Sequence, residues 1–252
     1  SDLEIEREDL RSAMVRCGGA VLHKSSRTLQ EVLNPARPDH EPKYAIRREF
    51  LSVWDEQASR VVDDYVGRLG MRAHAKWHPW VTRATSAKHP NDADEIRDGL
   101  LHVLIGSPVT SAFAERVVSW LFGVPPLQPT KASSFPYTFL WPLYRDVVSS
   151  FGTASPTDEY GIRCNTTGTI VARRTMIETR KKGRVGVDGG LIVVVRLPVK
   201  RSTRNRAHES LVVVLLGLSG PGTLACAEVL CDPRNAEALY PPQAGVPIMR
   251  AV

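Results

Sequence analysis

Two segments of the chain share one order of elements: an apolar strand, a loop of small residues and a helix. The first is "LLHVLIGSPVTSAFAERVVSWLFG" at residues 100–123, and the second is "LVVVLLGLSGPGTLACAEVL" at residues 211–230. Each begins with a short apolar run that carries no Lys, Arg, Asp or Glu, as expected of a strand covered on both faces. Buried strands that alternate with helices are typical of a largely parallel sheet with helices on both sides.

The character of the chain changes near residue 99. Before it, apolar residues recur at helical spacing from Tyr44 to Leu69, and shorter helices are predicted from Asp2 to Cys17 and from Ser25 to Leu33. After it, further strands are predicted in "SFPYTFLW", "EYGIRCNTTGTIVARRTMI" and "GGLIVVVRLPV". We therefore predict an α/β protein: a helical module over residues 1–98, followed over residues 99–252 by a Rossmann-like three-layer domain with a mostly parallel sheet.

The two loops predict a ligand-binding crevice. Glycines at the carboxyl end of a strand let backbone N–H groups approach a ligand at a helix N-terminus, where the helix dipole favours an anion. In open α/β sheets such loops border one crevice at the carboxyl ends of the strands. The predicted ligand-binding residues are Gly106, Ser107, Thr110, Ser219, Gly220, Gly222 and Thr223.

The glycines of the second loop have an alternative interpretation, in which they only make a tight turn from strand to helix. If instead they admit a ligand, a β-branched side chain at position 222 would block the approach of the backbone. The prediction is then that Gly222→Val abolishes ligand binding and leaves the fold largely intact.

From residue 100 onward the chain resembles a group of uncharacterised Rossmann-like sensor domains in multidomain bacterial regulators and signalling proteins. The resemblance rests on "VLIGSPVTSAFAERVVSWLFG", "DEYGI", "GGLIVVVRLPV" and "VVVLLGLSGPGTLACAEVL". In those domains a G-S-P loop follows an early strand and a G-x-x-G-x-G-T loop follows a late one, and the first loop commonly carries Asn where this chain has Thr110 and Ser111. The resemblance implies a regulator, in signalling or defence, that senses a small anionic or nucleotide-like ligand.

Basic residues are concentrated between residues 173 and 206, in a chain with a formal net charge of +6. This density favours anionic partners and suggests nucleic-acid binding as one hypothesis. The segment lacks aromatic residues for base stacking, so two solvated hairpin loops are a second interpretation. A third is that one arginine reaches the crevice and pairs with an anionic ligand. The residues are Arg173, Arg174, Arg180, Lys181, Lys182, Arg184, Arg196, Lys200, Arg201, Arg204 and Arg206.

Signals for catalysis and for metal binding are weak. The sequence "GLSGP" at residues 217–221 departs at its last position from the G-x-S-x-G turn of α/β-hydrolases, so a hydrolase or nucleoside-processing enzyme is kept only as an alternative. No catalytic residue is predicted, and no cofactor is identified. The histidines of "AHAKWHPWVTRATSAKHPND" match no metal-ligand spacing, and no metal is predicted.

The remaining predictions concern location and partners. The chain opens with an acidic segment, has no long apolar window, and carries four scattered cysteines, Cys17, Cys164, Cys226 and Cys231. These features favour a cytoplasmic protein without a membrane segment. The helical module is expected to meet a protein partner or a second copy of the chain.

Overall fold

The computed structural model describes residues 12–19, 53–70, 72–79, 96–97, 99–106, 108, 111–125, 134–142, 151–155, 157, 159–179, 183–199 and 209–252. The strands are β1 (Ser12–Gly19), β2 (Arg72–Pro79), β3 (Leu101–Ile105), β4 (Tyr137–Pro142), β5 (Gly152–Ser155), β6 (Gly161–Cys164), β7 (Ile170–Arg173), β8 (Thr175–Thr179), β9 (Gly183–Val187), β10 (Gly190–Pro198), β11 (Glu209–Gly217) and β12 (Ile248–Ala251). The helices are α1 (Val53–Arg68), α2 (Ala112–Phe122), α3 (Gly220–Leu230) and α4 (Ala236–Leu239), with a 3-10 turn at Pro233–Asn235.

The main sheet has six strands in the order β12-β10-β11-β3-β1-β2. Strand β3 runs parallel to both of its neighbours, with Ile105 opposite Leu215 of β11. The carboxyl ends of β3 and β11 therefore lie at the same edge. Strand β10 runs antiparallel to β11 and to β12. The amino end of β10 consequently lies at that same edge, with Gly190 opposite Gly217.

The predicted mostly parallel Rossmann-like sheet is wrong. Besides the main sheet there is a four-stranded sheet, β5-β4-β6-β7, and a two-stranded sheet, β8-β9. Of the nine strand pairings described, four are parallel and five are antiparallel. The apolar runs correctly predicted strands β3, β10 and β11, but an apolar run carries no direction. Only ten residues separate β10 from β11, which is too short for the helical crossover that a parallel pair needs.

The helical prediction for the N-terminal module is also corrected. Strands β1 and β2 lie in the main sheet, so the helix predicted from Asp2 to Cys17 is wrong over residues 12–17. Helix α1 confirms the C-terminal part of the helix predicted from Tyr44 to Leu69, whereas residues 44–52 and the helix predicted from Ser25 to Leu33 lie outside the described residues. The division between residues 98 and 99 stays a prediction, and it falls between strands of one hydrogen-bonded sheet.

Two hydrophobic layers cover the main sheet. On one face, helix α2 and the four-stranded sheet share a buried cluster with Leu104 and Val193. On the other face, α1 and α3 pack on Val103, Ile105 and Val194. Helix α3 begins directly after β11, so its first turn lies at the edge where β3 and β11 end. The first turn of α1 packs against it, and this arrangement positions the candidate site.

Candidate functional site

The two predicted loops begin side by side. Gly106 follows β3 with a φ of 142°, in a region that favours glycine, and its N–H donates to the carbonyl of Leu215 at 3.1 Å. Ser219 occupies the N-cap position of α3 without a capping bond from its side chain, and Gly220, Gly222 and Thr223 lie in the first helical turn that follows. Ser107 and Thr110 lie outside the described residues.

The glycines of the second loop are packed against the protein itself. A Cβ on Gly222 would fall well inside van der Waals contact of the Gly189 carbonyl, and one on Gly220 would fall inside contact of the Trp54 side chain. The absence of a side chain at both positions is therefore required by backbone and aromatic neighbours. The expectation that Gly222→Val leaves the fold largely intact is wrong for the same reason.

A buried carboxylate faces the first turn of α3. Asp188, on the connection between β9 and β10, has a side chain that is 6% exposed. Its Oδ2 accepts the hydroxyl hydrogen of Ser219, and its Oδ1 accepts the N–H of Gly189 at 2.8 Å. The N–H of Leu218 in turn donates to the carbonyl of Gly189 at 2.9 Å. These bonds connect residues 188–189 to the loop after β11. They place the Asp188 carboxylate at the amino end of α3, where the helix dipole favours a negative charge.

One residue of the basic segment, Arg174, lies at this edge. Its Nε is 3.8 Å from Oδ2 of Asp188, and its guanidinium stacks over the ring of Tyr160, 5.0 Å from the centroid. The hydroxyl of Tyr160 donates to the carbonyl of Leu218 at 2.7 Å, which ties the ring to the same loop as Ser219. The side chain of Arg174 is 29% exposed. The positively charged guanidinium therefore lies near the Ser219 hydroxyl, on a side chain that is partly open to solvent.

A second carboxyl group meets α3 from the side of α1. Asp55 is 3% exposed. Burial raises the pKa of Asp55 to about 7, and a hydrogen bond with Thr223 offsets part of the rise. The Thr223 hydroxyl also donates to the carbonyl of Ser219 at 3.2 Å. A protonated Asp55 can donate to Thr223 and leave that bond intact, whereas an ionised Asp55 competes for the hydroxyl hydrogen.

Among the residues that the structure describes, the Ser219 hydroxyl is bonded to a carboxylate and not to the histidine that an α/β-hydrolase places there. The acceptor of its hydroxyl is the Asp188 carboxylate, whereas His102 is completely buried on β3. Further along α3, burial and the charge of Asp188 raise the pKa of the Cys226 thiol, which keeps it protonated and a poor nucleophile. His208, the other histidine that the sequence places beside β11, lies outside the described residues.

Two other arginines of the basic segment contact neighbouring side chains of the protein itself. Arg173 pairs with Glu159 at 3.0 Å, and Arg196 donates to the hydroxyl of Tyr240 at 3.0 Å. Residues 180–182 and 200–208 lie outside the described ranges.

Among the residues that the structure describes, no group of three or more His, Cys, Asp or Glu side chains could hold a metal ion. Nor is any helix there long and apolar enough to cross a membrane.

Three residues that contact the loop and first turn after β11 were not predicted from the sequence: Asp55, Tyr160 and Asp188. Each is distant in sequence from Ser219, and none lies in either glycine loop, although Tyr160 is part of the "DEYGI" segment. Arg174 is one of eleven basic residues in the segment between residues 173 and 206, and the sequence does not show which of them lies at the crevice. Comparisons of the chain with protein-family models, with curated proteins and with solved structures found no match. The resemblance to sensor domains therefore stays a prediction.

Replacing Gly222 by Ala should destabilise the protein. The added methyl group would overlap the Gly189 carbonyl, and we expect the free energy of unfolding to fall by about 2 kcal/mol. Gly67→Ala in α1 is the matched control, because a Cβ there meets no atom within 4 Å and alanine favours the helix by about 0.5 kcal/mol. Urea unfolding of both variants measures the two effects. Equal stability of Gly222→Ala and the parent chain would contradict the packing.

Asp55→Asn should remove a pH dependence of stability. Asp55 ionises near its ordinary pKa of 3.8 in the unfolded chain and at about 7 in the folded one, so the unfolded state loses its proton first as the pH rises. The stability given by the neutral carboxyl is present below pH 4 and is lost as the pH rises through 7, by about 4 kcal/mol.

The measurement is the free energy of unfolding from pH 4 to pH 8. The parent chain should lose stability relative to Asp55→Asn over this range. Glu56→Gln is the control, because Glu56 is a partly exposed neighbour that pairs with Arg60 at 2.6 Å. Parallel curves for the parent chain and Asp55→Asn would show that Asp55 ionises normally in the folded protein.

Proposed function

We propose that the protein is a ligand-sensing regulatory domain, and that its ligand is a small anionic or nucleotide-like molecule bound at the edge formed by Gly106, Ser219 and Arg174. The observation that carries the proposal is the position of Arg174. This arginine is held by Tyr160 and Asp188 beside the first turn of α3, with part of its side chain open to solvent. A guanidinium binds carboxylate or phosphate oxygens through paired, charge-assisted hydrogen bonds.

The packing of the glycines limits how the ligand can bind. Gly222 is covered by Gly189 and Gly220 is covered by Trp54, so the backbone of the first helical turn is not the main contact. The ligand instead meets the Arg174 guanidinium and the hydroxyl of Ser219. The net charge of +6 favours the approach of an anion to the protein as a whole.

Helix α1 is the element through which the ligand would act. Trp54 touches Gly220 and is 40% exposed, and Asp55 is bonded to Thr223, so both contact the turn that follows Ser219. A change in this turn would alter the surface of α1, where a protein partner or a second copy of the chain would bind. Such coupling requires that the ligand bind two conformations with unequal affinity. We place this event in the cytoplasm, where nucleotide-like metabolites occur.

The test is thermal unfolding against nucleotides, cyclic and linear oligonucleotides, dinucleotide cofactors, sugar phosphates and inorganic pyrophosphate. A ligand at a hundred times its Kd adds about 2.7 kcal/mol of stability, which raises the Tm by several degrees. Arg174→Gln should weaken binding by about 10-fold or more, because it removes the charge-assisted contact.

Arg173→Gln is the matched control for this variant. It removes the same charge one residue away, from a side chain that pairs with Glu159, and its affinity should stay within about 2-fold of the parent chain. No stabilisation by any compound, or equal loss in both variants, would refute the proposal. A ligand recovered in chemically changed form would identify an enzyme instead.

A further inference from the structure

We propose that Asp188 is an internal competitor of the ligand: its carboxylate holds Ser219 and Arg174 in the free protein, and the anionic group of the ligand takes over both partners. The inference rests on the proposed function, which it deepens by naming the step that binding must include. In the free protein the carboxylate of Asp188 occupies the site, and in the complex an oxyanion of the ligand replaces it.

The contacts of Asp188 are those that a bound anion would make. One carboxylate oxygen accepts the Ser219 hydroxyl and lies 3.8 Å from the Arg174 Nε, while the other oxygen would lie 3.1 Å from a Cβ on Gly222. The carboxylate thus touches a hydroxyl donor, approaches a guanidinium and faces the first turn of a helix. Hydroxyl groups, arginines and helix N-termini are the usual donors to protein-bound phosphate.

Two anions cannot share these partners without a large cost. The hydroxyl of Ser219 has one hydrogen, which Asp188 already accepts. A ligand oxyanion against Arg174 would also lie close to a carboxylate that is buried and poorly screened, and the two like charges would repel each other. Binding therefore favours rotation of the Asp188 side chain away from Ser219.

Release of Asp188 would act on the strands that it joins. Asp188 follows β9 and directly precedes Gly189, whose carbonyl accepts the N–H of Leu218. The β8-β9 hairpin and the amino end of β10 meet at this connection. When Asp188 exchanges its partners for those of the ligand-bound state, the change at the edge of the main sheet would therefore also displace the β8-β9 hairpin.

The first test compares the affinity for inorganic pyrophosphate of the parent chain, Asp188→Asn and Asp232→Asn by isothermal titration calorimetry. Asp188→Asn removes the competing charge and should bind at least about 10-fold more tightly. Asp232→Asn also removes a charge paired with an arginine, Arg234, but Asp232 follows the far end of α3, so its affinity should match that of the parent chain. Asp188→Ser carries the same prediction in case the Asn variant does not fold.

The second test uses the unmodified chain and follows amide hydrogen exchange by NMR. The N–H of Gly189 is held by Oδ1 of Asp188, so release of Asp188 should speed its exchange when pyrophosphate binds, while the amide of Thr223 exchanges more slowly. Slower exchange at Gly189 would mean that the ligand adds to an intact cluster, which overturns the proposal.

The outcomes separate this inference from the proposed function. Binding that depends on Arg174, with no gain in Asp188→Asn, overturns the competition and leaves the proposed function standing. Binding that is strong only in Asp188→Asn supports both. If pyrophosphate binds to none of the chains, the competition is overturned, and the wider panel of compounds decides the proposed function.

Discussion

The candidate site depends on the antiparallel pairing of β10 with β11. This pairing sets Gly190 opposite Gly217, so that the residues just before one strand face the residues just after the other. A parallel β10 would have sent its own amino end to the opposite edge of the sheet. Asp188 would then have been separated from Ser219 by the length of the strand, and it would no longer lie near Arg174.

Local patterns in the sequence predicted the elements but not their mutual directions. The apolar runs located β3, β10 and β11, and the helical spacing before Gly70 located α1. Because β3 and β11 are paired in parallel, the two glycine loops begin at the same edge of the sheet. The antiparallel direction of β10 follows from the short link between β10 and β11, which the prediction of a parallel sheet did not take into account. The membership of β1 and β2 in the sheet depends on long-range pairing, which composition and periodicity do not encode.

The same distinction applies to the site. Ser219 and the glycines of its loop are visible in the sequence because they cluster, and they do lie at the edge of the sheet. Gly220 and Gly222 are needed because a side chain there would overlap Trp54 and Gly189. In the sequence, a glycine required by such close packing looks the same as one that lets the backbone approach a ligand. The acidic residues could not be predicted, since a carboxylate on a distant connection is recognised only when the fold brings it to its donor.

The contact between Gly222 and the carbonyl of Gly189 has a consequence for how this sequence can vary. A methyl group at position 222 requires the connection between β9 and β10 to move outward, and Leu218 would then lose its hydrogen-bond acceptor. Homologous chains should therefore change the two positions together or keep both as glycine. A chain with a larger residue at 222 should carry a longer β9-β10 connection, and with it a differently placed acidic residue.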